Sequence, residues 1–346
     1  AESAHMGPDF VRCGTELAIA EMIRSGTTTF TDMYFFPDVC AATAERLGMR
    51  CQITFPVLDF PTAWAQNADE YISKGLALRD DVKHSELVSV GFGPHAPYTV
   101  STDNLSKVAT FAAELDMAVT IHLHETRGEV LLAVEQHGER PLDTLNRLGL
   151  IGPRTLCVHM TDLGEQDMAV LAETGAHVIH CPQSNMKLAS GGCPVQGLIS
   201  RGINVALGTD GAASNNDLNM FGEMQSAALL AKLLSGDATA LPASQALAMA
   251  TINGARALGL DERIGSLEVG KQADLIAVDL GGPETQPLYN PISQLVYACN
   301  GSQVSHCWIA GQPVMEAREL TRIDLSSLGA RARSWQQKIH DSRPGK

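Results

Sequence analysis

The chain has 346 residues, is 45% hydrophobic and carries a formal net charge of -14 at neutral pH. Its acidic surface repels polyphosphate, which argues against nucleic-acid binding through a basic patch. No apolar run approaches the ~20 residues that cross a bilayer, and the first residues lack the basic-then-apolar pattern of a signal peptide.

Short β-branched runs recur along the chain, at 27–34, 49–60, 87–95, 118–125, 155–160, 176–182 and 204–210. Segments with apolar residues at helical spacing lie between them, beginning with a helix over 9–25. Alternation of this kind predicts a parallel sheet covered by helices. Most of the strands end in a polar residue: Asp32, Asp59, His95, His122, His159, His180, Asp210. A barrel gathers strand C-termini into one ring, whereas an open sheet uses only those near its switch point. There is no GxGxxG or GxxxxGK[ST] phosphate loop. The expected fold is therefore α/β, a (β/α)8 TIM-type barrel. Only seven strands are counted, so it lacks its first strand.

From 263 onward the character changes. IGSLEVGKQADLIAVDL and the pieces QLVYACN, VSHCWIAGQPV and MEAREL read as short strands with Gly turns, closed by a charged helix over 325–339. The expected division is a barrel over 1–262, incomplete at its N-terminus, and a small β-sandwich remainder over 263–346. The eight cysteines are scattered without a CxxC pair, which reads as reduced thiols and a cytoplasmic enzyme.

The stretch AVTIHLHETRGE (118–129) concentrates the chemistry. Strand alternation puts Thr120, His122 and His124 on one face. His122 then points to the barrel axis, His124 lies at the rim, and Glu125 follows where strand gives way to loop. His159 and Asp210 end later strands. Zinc accepts imidazole nitrogen and carboxylate oxygen, and it lowers the pKa of water that it binds to about 7. Asp210 suits both ligation and acceptance of the water's proton, and Glu125 suits protonation of a leaving-side nitrogen. His159 is either a ligand or a group behind one. Two ligands fall short of the usual three plus water. Zinc, iron and manganese all accept this donor set, with one ion per subunit expected. His180 is a candidate substrate contact. Asp32 and Asp59 read as structural caps, and Ser184, Asn185 and Lys187 as residues that order a loop. No GxSxG elbow or activated Cys points to covalent catalysis.

GPHAPYT (93–99), HLHE (122–125), VHMTD (158–162), HCPQSNMKLASG (180–191) and LGTDGAASNN (207–216), with the closing IGSLEVGKQADLIAVD, resemble the amidohydrolase superfamily in order and spacing. Within its chlorohydrolase-like branch the likeness is greatest to the 5′-methylthioadenosine/S-adenosylhomocysteine deaminases. The resemblance implies that His122 is the zinc ligand of the fifth family strand and Glu125 the general acid/base beside it. It implies that His159 contacts the metal-bound water and that Asp210 ligates zinc and accepts a proton. It further implies that His95 contacts substrate, and that Glu2 matches a glutamate holding the ribose hydroxyls. The family takes two more zinc ligands from an HxH motif on its first strand, and no such segment stands here, so the chain reads as a fragment.

The resulting expectation is a zinc-dependent hydrolytic deaminase of an aminopurine nucleoside, acting on a small molecule. Neither nucleic acid nor membrane is an expected partner, and a homo-oligomer is a family-based expectation. Alternatives are a triazine chlorohydrolase or aminohydrolase, a guanine-type deaminase, or an inactive truncated barrel.

Overall fold

The computed structural model describes residues 2–342, the side chains of Glu2 and Ser3 lying outside that description. Seven strands, β1 (Thr29–Asp32), β2 (Arg50–Val57), β3 (Val88–Pro94), β4 (Val119–Leu123), β5 (Thr155–His159), β6 (His177–His180) and β7 (Val205–Leu207), form one parallel sheet in sequential order. A doubly wound sheet would reverse its order at a switch point. Sequential order throughout is the barrel-type winding that the strand-end residues anticipated. All eight residues of β2 are buried, as expected of a parallel strand covered on both faces. The helix Ala68–Val82 starts where Asn67 accepts the Glu70 backbone N–H. It settles onto β2 at Gly75, where a Cβ would stand 2.3 Å from the Phe55 ring.

Within this sheet β1 and β7 each pair on one side only. Both line one apolar cavity of about 410 Å³, which Thr29, Phe30 and Thr31 enter from β1 and Ala206 and Leu207 from β7. A second sheet, antiparallel in the order β11-β10-β9-β8, contains β8 (Leu275–Val278), β9 (Val304–Ile309), β10 (Gln312–Glu316) and β11 (Glu319–Leu320). The expected strand QLVYACN is instead mostly helical, within Pro291–Tyr297. Asn290 accepts the Ser293 N–H and Pro291 opens the first turn, a start signal that outweighs the strand-favouring Val296 and Tyr297. One apolar core runs from the large sheet through the helix Pro8–Ser25 to β9 and β10. No described helix is long and apolar enough to cross a membrane.

A buried ion pair joins the two sheets. The Arg50 guanidinium, at the start of β2, meets Asp274, just before β8, in a two-pronged contact: Nε to Oδ2 at 2.6 Å and Nη2 to Oδ1 at 3.0 Å. The arginine also donates to the Glu86 carbonyl at 2.9 Å and to Gln272, and Asp274 takes the Ala310 N–H at 2.7 Å. Breaking such a pair strands a buried charge. Arg50→Ala is therefore expected to cost about 3–5 kcal/mol in urea unfolding. Arg50→Met combined with Asp274→Leu should recover most of that loss; a double variant no better than the single would show that the pair holds more than its own charges.

Candidate active site at the strand ends

Register places the ends of β4 and β5 level, with His122 opposite Val158 and Leu123 opposite His159. Thr120 and His122 share one face of β4 by alternation. The His95 carbonyl, just past β3, accepts both the His122 backbone N–H at 3.1 Å and its ring Nδ1–H at 2.7 Å. That bond fixes the tautomer and leaves Nε2 of His122 with its lone pair. Asn185 Oδ1 does the same for His159, accepting from Nδ1 at 2.9 Å. The rings of His95 and His122 lie 5.0 Å apart, and those of His122 and His159 5.6 Å. Burial, with His122 adding to it, pushes His95 down to about 4. Burial, followed by the neighbouring His159, also lowers His122. Both are neutral imidazoles at neutral pH.

Glu125 stands beside this row, its Oε2 3.8 Å from His159 Nε2 and its Oε1 3.4 Å from Ser190 Oγ. Its backbone is held from both sides. The Glu129 carboxylate accepts the Glu125 N–H at 2.9 Å and the His124 N–H at 3.3 Å, while Thr126 Oγ1 accepts the Glu129 N–H at 3.2 Å. Thr126 thus caps the helix Arg127–His137 through its hydroxyl, while Glu129 in the first turn reaches back past the cap to the two preceding N–H groups. On the other side Thr161 Oγ1 donates to the Glu125 carbonyl at 2.8 Å. Gly191 makes room for Thr161: its φ is +137 and a Cβ would lie 2.7 Å from that hydroxyl.

Asp210 follows β7 with a left-handed φ of 61°. Its Oδ1 accepts the Gly211 N–H at 2.7 Å and its Oδ2 the Ser184 hydroxyl at 2.6 Å. The sequence assigned Ser184 and Asn185 to loop order alone, yet each bonds a candidate site residue. Glu223 was not singled out. Fully buried, it accepts from Asn215 Nδ2 at 2.6 Å and from the Gln183 N–H at 3.3 Å. Its one sequence signal is a carboxylate on the apolar stripe of MFGEMQSAALLAKLLS.

His124, expected at the rim, is fully buried. Its φ of 50° breaks the strand alternation. The ring turns to the helix layer, where Nδ1 donates to the Asp162 carbonyl at 3.0 Å and Nε2 accepts the Leu142 N–H at 3.2 Å. His180 is buried, its Nδ1 lacks a partner, and burial lowers it to about 3. Asp59 has the expected capping role, at the start of the helix Thr102–Leu115, accepting from Ser101 N at 2.7 Å and Asn104 Nδ2 at 2.8 Å. The Glu2 side chain lies outside the described residues.

A neutral imidazole whose second nitrogen is tied to a carbonyl is the usual form of a metal ligand. The free Nε2 of His122 and the carboxyl oxygens of Asp210 therefore fit a divalent ion in kind. They do not complete its shell: among the described residues no group of three or more His, Cys, Asp or Glu side chains is arranged to hold a metal.

The buried imidazoles make stability depend on pH. Folding lowers His95 and His124 from 6.5 to about 4, and His180 to about 3, burial being the leading cause in each. Between about 4 and 6.5 the unfolded chain binds more protons, so stability rises with pH through that window. Glu223, raised to about 7 by burial, acts in the opposite sense above its reference of 4.5. His122 and His177 are lowered as well, while burial raises Asp32 and Glu129 alongside Glu223; with five imidazoles against three carboxylates, the thermal midpoint is expected to climb from pH 4 to 6.5. A flat or falling profile would mean that these rings take up protons in the folded chain.

Known proteins share this arrangement of elements. The amidohydrolase family pattern matches residues 2–314. A 5-methylthioadenosine/S-adenosylhomocysteine deaminase of Teredinibacter turnerae is 54% identical over 338 residues, 98% of this chain and 76% of that protein. The crystal structure of an adenosine deaminase from Xanthomonas campestris with bound zinc superposes with a TM-score of 0.97 at 51% identity, covering 98% of this chain and 77% of that one. An atrazine chlorohydrolase of Arthrobacter aurescens TC1, 23% identical, shares the fold with a TM-score of 0.89 over 96% of this chain and 78% of its own. The chain belongs to the amidohydrolase family.

Proposed function

We propose that the chain is a divalent-metal-dependent hydrolytic deaminase of aminopurine nucleosides, of the 5′-methylthioadenosine and S-adenosylhomocysteine kind. The observation that carries this reading is the placement of Glu125. Its backbone is fixed by Glu129 and Thr161, and its carboxylate lies between His159 and Ser190 beside His122. The 54% identity to a deaminase of that name supports the substrate class, and the zinc of the adenosine deaminase neighbour supports zinc as the ion.

His122 and Asp210 are the proposed metal ligands. When bound, the ion supplies Lewis acidity that makes hydroxide available at neutral pH. Asp210 takes the proton of the attacking water, which forms a bond to purine C6. Glu125 delivers a proton to the adjacent ring nitrogen, drawing electron density off C6. The proton held by Asp210 passes to the exocyclic nitrogen, the C6–N bond breaks with loss of ammonia, and the C6 hydroxyl returns its proton to the Glu125 carboxylate as the 6-oxopurine forms. His159, kept as the Nδ1–H tautomer by Asn185, presents Nε2 to the nucleophile. His95 contacts the base, with His180 and Glu2 as the remaining proposed substrate contacts. The eight free, buried cysteines support a cytoplasmic setting.

The test is ammonia release from 5′-methylthioadenosine by zinc-loaded protein, with metal content measured on the same sample. Glu125→Gln is expected to lower kcat by about 10²–10⁴-fold while leaving metal content unchanged. Halide release from a chlorotriazine without ammonia release from the nucleoside would count against the reading. So would a Glu125→Gln variant that turns over at the parent rate.

A further inference from the structure

The helix Met220–Ser235 packs its first turns against the strand-end segments and buries Phe221, Glu223, Met224, Ala227, Ala228 and Ala231. Glu223 is the one carboxylate on that otherwise apolar face. Burying a carboxylate is costly unless donors compensate it, and here burial raises the group to about 7 despite two donors. Those two donors belong to different segments. Oε2 accepts the Gln183 N–H, at the start of the helix Pro182–Lys187 that carries Ser184 and Asn185. Oε1 accepts from Asn215 Nδ2, and the same amide donates to the Thr209 carbonyl at 2.8 Å, the peptide that leads into Asp210. Gln183 is held a second time, its Nε2 donating to Ser226 Oγ at 3.0 Å one turn further along.

The two segments meet again at the site, where the Ser184 hydroxyl donates to Asp210 and Asn185 holds His159. Glu223 thereby closes a ring of contacts: Glu223 to Asn215 to Thr209 and Asp210, then Ser184, Gln183 and back to Glu223. An apolar side chain at 223 would fill the core equally well and could not close that ring.

We infer that Glu223 is a positioning residue, which sets Asp210 through Asn215 and sets Ser184 and Asn185 through the Gln183 backbone. Its kinetic consequence rests on the deaminase reading; its structural consequence rests on the hydrogen bonds alone. Both Glu223 oxygens are taken up by Gln183 and Asn215. Removing it should loosen the geometry in which Asp210 and His159 act without altering the surface that binds the nucleoside.

Glu223→Ala, Glu223→Gln, Asn215→Ala and the double variant Glu223→Ala/Asn215→Ala test this by two routes. Hydrogen exchange followed by mass spectrometry, on protein without substrate, should show faster exchange in residues 181–190 and 208–216 of Glu223→Ala and parent rates elsewhere. In zinc-loaded protein, kcat for ammonia release from 5′-methylthioadenosine should fall about 10–100-fold, as for other groups behind a ligand, with KM within about threefold. Glu223→Gln keeps one acceptor oxygen and should fall in between, and it carries the test if the alanine variant does not fold. The double variant should lose little more than either single one.

Unchanged exchange in both segments overturns the inference. So does a lowered melting temperature with parent kcat, or a raised KM at unchanged kcat. A parent chain without turnover would sink the deaminase reading instead, and the exchange comparison would still decide the role of Glu223.

Discussion

The site depends on backbone that leaves the β region at the strand ends. His124, His159, Met160 and Asp210 all have left-handed φ, at 50°, 77°, 50° and 61°, and none is a Gly or Asn. Conformations of this kind cost on the order of 1–3 kcal/mol each and persist where the surroundings over-determine them. Here the surroundings are specific. The Met160 N–H reaches the Leu123 carbonyl at 3.1 Å and the Thr161 N–H the His124 carbonyl at 2.9 Å, extending the β4–β5 pairing beyond both turns. The buried His124 ring pins the first turn to the helix layer, and Gly211 and Ser184 satisfy the carboxylate at the last. Without those turns Glu125 and Asp210 would continue along their strands.

Each chemical group is held by a partner that does no chemistry. A carbonyl fixes the His122 ring, an amide the His159 ring, a hydroxyl the Asp210 carboxylate, and a second carboxylate the backbone of Glu125. Charged and neutral partners are not interchangeable in these places. A neutral amide beside His159 sets a tautomer without adding charge. The Glu129 carboxylate, raised by its burial, accepts two N–H groups that end a strand and start a helix. Rigid partners of this kind keep reacting groups within the small tolerances that proton transfer allows.

Much of the fold was legible because its signals are local. Each strand of the large sheet coincides with one β-branched run, since parallel strands buried on both faces select such residues. His122 was placed by period-two reasoning, and its ring lies near those of His95 and His159 at the strand ends. His124 was misplaced by the same reasoning, because one left-handed residue ends the period and no local composition marks it. Ser184 and Asn185 were undervalued for another reason. Their partners Asp210 and His159 each lie 26 residues away along the chain, and no spacing rule encodes a contact made only when strands close side by side. QLVYACN shows the converse: Val296 and Tyr297 suggested a strand, and an Asn-Pro start signal just upstream decided for helix.

The cysteines give this architecture a built-in record of its own opening. All eight are buried, and burial raises the thiols of Cys157 and Cys307 to about 12 and also lifts those of Cys40, Cys51, Cys181 and Cys193. A thiol reacts as its thiolate, so in the folded chain these groups are both hidden and chemically silent. They are spread over the helix Pro37–Leu47, β2, β5 and β9 and the segments after β6. The rate at which each becomes alkylated therefore reads how often its own neighbourhood opens. Barrel and small sheet, joined through Arg50 and Asp274, would report either one shared clock or two.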